Sequence, residues 1–100
     1  MDKIIVHVDA DLEAIIPRFF ELRAKDIYLI NEGIEKKDFE TIMRMGHSMK
    51  GAGGGYGFDY ISEIGRAIEE AAKKNDADGI KEWALKLEDY LKKVEVVYDE

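Results

Sequence analysis

His47, Lys50 and Gly51 lie three and four residues apart in the run His47-Ser48-Met49-Lys50-Gly51, so in a helix they share one face. An unperturbed imidazole has a pKa of about 6.5, which leaves most such groups neutral near pH 7 and able to attack a phosphoryl group. Lys50, a mobile point charge with three donors, could neutralise the oxygens of a phosphoryl group held on His47. No acid, metal-ligand cluster or Mg²⁺ site is evident close by in sequence, and Gly51 adds no bulk. The run continues Ala52-Gly53-Gly54-Gly55-Tyr56-Gly57-Phe58, so that five of the nine glycines fall between Gly51 and Gly57. Glycines gathered this way mark a site.

These residues need a helix to hold them, and the apolar pattern supplies one. Phe39, Ile42, Gly46, Met49, Gly53 and Tyr56 recur at spacings of 3, 4, 3, 4 and 3, which is a bundle seam. At about 100° per residue His47 lies roughly 130° from that seam and faces solvent. Lys50 and Gly54 fall on one edge of the exposed surface, Arg44 and Gly51 on the other. Inside a helix each glycine costs about 1 kcal/mol relative to Ala, so Gly51, Gly53, Gly54 and Gly55 together forgo roughly 4 kcal/mol. Helical phase assigns Gly46 and Gly53 to close helix packing, and Gly51 and Gly54 to clearance for a second protein's backbone near His47. Gly57 suits the turn that follows.

The remaining chain reads as more helices, and the expected fold class is all-α. Asp9 or Asp11 caps a short N-terminal helix to about Ile16; Pro17 suits the opening turn of a second helix, which Gly33 closes. The third starts near Lys37 or Asp38, the fourth is capped by Asp59, and the fifth starts near Asp76 or Asp78 and runs through Trp83, Leu87, Leu91 and Val94. Short connections make this an antiparallel up-down four-helix bundle preceded by a short helix. Residues 1–100 form a single domain, with residues 1–8 as an arm.

Composition narrows the function. A net charge of −7 disfavours nucleic acid, whose binding draws on Lys and Arg to neutralise phosphates, and favours a protein partner. Cysteine is absent, which is compatible with a reducing cytoplasm. The apolar patch at Ile4 to Val8 is too short for a signal-peptide core or a membrane span, so a soluble cytoplasmic monomer is expected. The opening Met1 favours a free-standing protein. A nucleotide-binding P-loop fails because Lys50 precedes the glycines, and no βαβ pattern supports a dinucleotide site. Met43, Met45 and Met49 read as packing. His7 lacks comparable neighbours and reads as structural or incidental, and the charges from Lys81 to Glu95 read as a solvated face. A metal-binding bundle would need inward-facing Glu and His ligands, whereas the seams are apolar.

The stretch His47-x-x-Lys50-Gly51 followed by Gly57 resembles the signature of histidine-containing phosphotransfer (HPt) domains, and also the related phosphorylated domain of chemotaxis histidine kinases. The similarity extends over roughly residues 9–97. It implies a phosphohistidine at His47, formed by exchange with a response-regulator receiver domain or by a histidine kinase. Lys50 would assist electrostatically, Gly51 would give clearance, and any Mg²⁺ would sit on the receiver, leaving this chain without a cofactor: a phosphoryl carrier rather than a stand-alone catalyst. Met49 stands where leucine is common in the family. The resemblance also implies a glutamate on the next helix bonded to the histidine; Glu69 matches by spacing, with Glu70 as competitor. The rival reading is a non-phosphorylated helical module that docks on a receiver or kinase through the same surface.

Overall fold

The computed structural model describes residues 3–100. Its elements, in chain order, are strand β1 (Ile4–Asp9), a 3₁₀ turn (Ala10–Leu12), helices α1 (Ile16–Glu35), α2 (Phe39–Gly55), α3 (Asp59–Lys73) and α4 (Ala77–Lys93), and strand β2 (Val94–Asp99). The four long helices agree with the sequence reading. The purely α class does not, because β1 and β2 form a two-stranded parallel sheet, with Ile4 opposite Val94 and Asp9 opposite Asp99. Two segments ninety residues apart in the chain supply each other's hydrogen bonds, a pairing that no local window of sequence contains. Val94, expected to continue the last helix, is extended and opens β2 instead. Val8 is buried in the core, with Val6, Val94, Val96 and Tyr98 packed against it, so the sheet's inner face lies on the helices.

The short N-terminal helix is reduced to the 3₁₀ turn, where the Asp9 carboxylate accepts the Asp11 N–H at 2.8 Å. Pro17 does occupy the first turn of α1, where a missing N–H is harmless. Gly33 does not end α1. It is buried within the last turn, where an added Cβ would meet Ile42 Cγ1 at 2.9 Å. The helix stops two residues later, and Lys37 takes the left-handed conformation (φ 57°).

Three helices close in the same way. The N–H two residues beyond the cap reaches back to the carbonyl three from the end: Asp38 to Gly33, Phe58 to Gly53 and Asp76 to Ala71. The left-handed positions are Lys37, Gly57 and Asn75; Gly57 has φ +88°, which explains glycine there. Asp38 then caps α2 through the Thr41 N–H, and Asp76 caps α4 through the Gly79 N–H. The proposed Asp59 cap is displaced by one residue. Phe58 takes the cap position without a side-chain bond, and Asp59 lies in the first turn, where its charge suits the helix N-terminus.

The α2–α3 turn is held by aromatic packing. Phe58 is fully buried and stacks on Phe19 at 5.4 Å, with Phe20 edge-on at 5.2 Å. Burial of such a side chain contributes about 1.5–3 kcal/mol. Ile42, Met49, Ile61, Ile64, Ile68, Ile80 and Leu87 fill the core between the helices. Met43 and Met45 pack at its edge, in line with their reading as packing residues.

Candidate functional site

The site is built where α2 and α3 touch most closely. Glycines remove the side chains that would keep them apart. An added Cβ at Gly46 would lie 2.7 Å from both the Glu69 N and the Gly65 O, one at Gly53 would lie 2.6 Å from the Ser62 N, and one at Gly65 would lie 2.5 Å from the Lys50 N. Such separations are below any tolerable contact, so the two backbones require glycine on both helices. Gly46 meets residues 65 and 69 while Gly53 meets residues 61 and 62, so contact order runs in opposite directions along α2 and α3. The Ser62 hydroxyl adds a cross-link, donating to the Lys50 carbonyl at 2.8 Å.

This close approach brings Glu69 up beside His47. The imidazole is solvent-facing, as the helical phase predicts, with its side chain 68% exposed, whereas the Glu69 side chain is 11% exposed. His47 Nδ1 lies 3.1 Å from Glu69 Oε2, and Lys50 Nζ donates to Glu69 Oε1 at 3.3 Å. Lys73, one turn further along α3, places its ammonium 4.0 Å from Oε2. Burial works to raise the pKa of Glu69, but the hydrogen bond and charge of Lys50, and then those of His47, outweigh it and lower the pKa below the usual value. Glu69 is therefore an ionised acceptor at neutral pH. An ionised carboxylate only accepts, so Nδ1 carries the proton in this bond, and in the neutral ring Nε2 keeps the lone pair.

The other sequence candidates are distributed around this centre. A Cβ at Gly51 or Gly55 would meet nothing within 4 Å, and one at Gly54 only the Ser62 hydroxyl at 3.7 Å, so the surface beside His47 is unobstructed. Gly57 is not part of the constellation; it closes α2. Arg44 pairs with Glu40 at 2.6 Å, whereas Lys50 shares the Glu69 carboxylate with the imidazole. Glu70 turns outward to Lys73 at 3.7 Å and does not compete for the histidine.

Local sequence reading found no acid near His47, because Glu69 is supplied from α3; only the resemblance pointed to Glu69, and the structure places it against the imidazole. The signal that could have placed it is its phase. Gly65, Glu69 and Ala72 follow one another at spacings of 4 and 3 on the buried stripe of α3, and a charge on that stripe needs a partner on the facing helix. Ser62 and Lys73 were missed, since neither spacing nor residue type distinguishes them from surface residues.

The family model described as Hpt domain matches residues 14–96. The chain belongs to the Hpt domain family. Hpt domains are histidine phosphotransfer modules of two-component signalling and work with receiver domains and kinases. The four helices fit an Hpt bundle, while β1 lies wholly outside the matched stretch. No significant match to a curated protein or to a solved structure was found. Among the described residues no helix is long and apolar enough to cross a membrane, and no three or more His, Asp or Glu side chains gather as a metal site.

Proposed function

We propose that this Hpt domain carries a phosphoryl group on Nε2 of His47 and exchanges it with an aspartate of a receiver domain. The observation that supports this reading is the bond from His47 Nδ1 to a buried, ionised Glu69, which leaves Nε2 as the free nucleophile on the solvent side. In transfer from the receiver, the Nε2 lone pair attacks the phosphorus of the aspartyl phosphate in line. The N–P bond forms as the acyl O–P bond breaks, and the aspartate leaves as carboxylate. The imidazole then bears positive charge, and Glu69 stabilises it while keeping the ring orientation. Lys50, beside the ring, offsets charge on the equatorial phosphoryl oxygens. Return of the phosphoryl group reverses these steps.

Gly51 and Gly54 give the receiver's backbone room, and Gly57 contributes by ending α2 so that α3 can return along it. The four helices are read as an antiparallel up-down bundle, supported by the opposed contact order of α2 and α3. Mg²⁺ is assigned to the receiver, so the chain is a carrier without its own cofactor, active as a single cytoplasmic domain. The docking-only reading gives no role to a buried carboxylate bonded to an exposed imidazole.

The test is incubation with a phosphorylated receiver. The expected product is an acid-labile, alkali-stable phosphoprotein that is absent in His47→Gln; labelling that survives this substitution would refute the assignment.

A further inference from the structure

The sheet lies outside the four helices, and the charges along β1 have a direction. Because β1 and β2 are parallel and in direct register, Asp9 lies opposite Asp99 at one end. Lys3 precedes Ile4 at the other end, where Lys93 belongs to α4 and pairs with Asp89 at 2.9 Å. Like charges facing each other across a sheet destabilise it. Intrachain ion pairs offset this only in part: Lys3 reaches Glu95 at 3.8 Å and His7 reaches Asp99 at 3.1 Å, with all four side chains more than half exposed.

The sheet also has open edges. β1 pairs with β2 alone, and among the described residues no other backbone segment bonds to it. The main-chain N–H and C=O groups on the far side of β1 are therefore a template for another strand. The two edges are not equally guarded. β2 carries Glu95 within its body, a charge of the kind that discourages edge pairing. β1 reads Ile-Ile-Val-His-Val before Asp9, with no proline and no carboxylate in its body, and Ile5 is 58% exposed on the outer face.

We propose that β1 is a self-association edge at which two copies of this chain pair their β1 strands antiparallel about Val6, forming the four-stranded order β2-β1-β1-β2. A two-fold axis requires identical strands to run antiparallel. With the axis at Val6, that residue faces Val6 of the second copy, Ile4 faces Val8, Ile5 faces His7, and Lys3 faces Asp9. Lys3 of each copy then lies against Asp9 of the other, so Asp9, which faces Asp99 within its own chain, gains a basic neighbour from the second copy. Inner-face residues pair with inner-face residues, continuing the apolar layer that Val6 and Val8 already form. Two strands are marginal alone, whereas four with an apolar face are not. This replaces the monomer expected from composition.

Sedimentation equilibrium on the full chain tests the proposal, with twice the chain mass expected. Lys3→Asp and Asp9→Lys should each halve that mass, and the two together should restore it, which guards against a variant that merely unfolds the arm. The chain has no cysteine, so a single introduced thiol reports the edge directly. Val6→Cys should cross-link to a dimer under mild oxidation, and Val96→Cys should not. A wild-type chain that sediments at one chain mass at every concentration overturns the proposal, as does cross-linking through Val96→Cys in place of Val6→Cys. A ladder of higher oligomers also overturns it, since both edges would then be in use. Phosphoryl uptake per chain should be the same in Lys3→Asp as in wild type, so failure of the carrier reading would appear as absent label without changing the mass result.

Discussion

Both histidines of this chain are exposed, and each places Nδ1 3.1 Å from a carboxylate oxygen, His47 with Glu69 and His7 with Asp99. By bond length they are the same motif. Their surroundings differ in three ways. Glu69 is almost buried and belongs to a helix held against α2 by backbone contact at Gly46 and Gly65, whereas the Asp99 side chain is 57% exposed on an open sheet. Lys50 shares the Glu69 carboxylate, whereas His7 lies near a second acid, Asp9, opposite Asp99. Beside His47 is the open space of Gly51, whereas His7 stands on the face that exposes Ile5 and Val97. Under the proposed function, an imidazole paired with a carboxylate is not sufficient for a phosphoryl site. What sets His47 apart is an acid held by packing, a nearby positive charge and a clear approach.

Exchanging the two histidines in turn gives the largest expected contrast. His47→Gln should abolish phosphoryl uptake from a receiver, while His7→Gln should leave its rate unchanged, measured by radiolabel transfer over time. Removal of the cation should follow in size: Lys50→Ala should slow transfer by about a hundredfold, the usual cost of losing one group aimed at developing charge. Comparable rates for Lys50→Ala and wild type would show that the lysine serves only to anchor Glu69.

The positioning acid should matter less for rate but more for pH response. Glu69→Gln keeps a hydrogen-bonding side chain and loses the charge, so transfer should slow by about tenfold to a hundredfold, the range for a misplaced reacting group, while Asp99→Asn should not alter it. The folded-state pKa of Glu69 is lowered, so its stabilising contribution is present above the unfolded value and is lost as pH falls through the folded one. Urea titrations of wild type should therefore show stability falling through and below the ordinary carboxylate range, with a smaller fall in Glu69→Gln.

The smallest effects concern the glycines and divide them by helix face. Gly46→Ala would force a methyl group against backbone atoms of Gly65 and Glu69, a destabilisation of about 1–3 kcal/mol. Gly51→Ala meets nothing and should stabilise the isolated domain by up to about 1 kcal/mol, the helix-propensity difference. If the clearance is functional, the same substitution raises the receiver concentration needed for half-maximal transfer. Thermal unfolding and transfer assays on the two variants separate these outcomes.

How far the sequence could be read depended on the distance over which each feature is determined. The phase of α2 follows from the 3.6-residue repeat, so the exposure of His47 and the burial of Gly46 and Gly53 were legible from a few turns of chain. The ends of the helices were less so: Gly33 carries the type of a terminator but is consumed by its contact with Ile42, and Lys37 takes the left-handed turn. The sheet was illegible because β1 gains its partner from a segment ninety residues away.

What the sequence alone determined, then, is the helix that carries His47, the direction in which the imidazole points, and the cation and clearance beside it, all set by local periodicity and residue type. Only the tertiary structure decided which carboxylate reaches Nδ1, and hence which nitrogen is free. That choice depends on the separation and register of α2 and α3, which follow from glycine-to-backbone contact and from Phe58 locking the turn between them. Packing across the bundle is a non-local balance, and no single stretch of the chain encodes it.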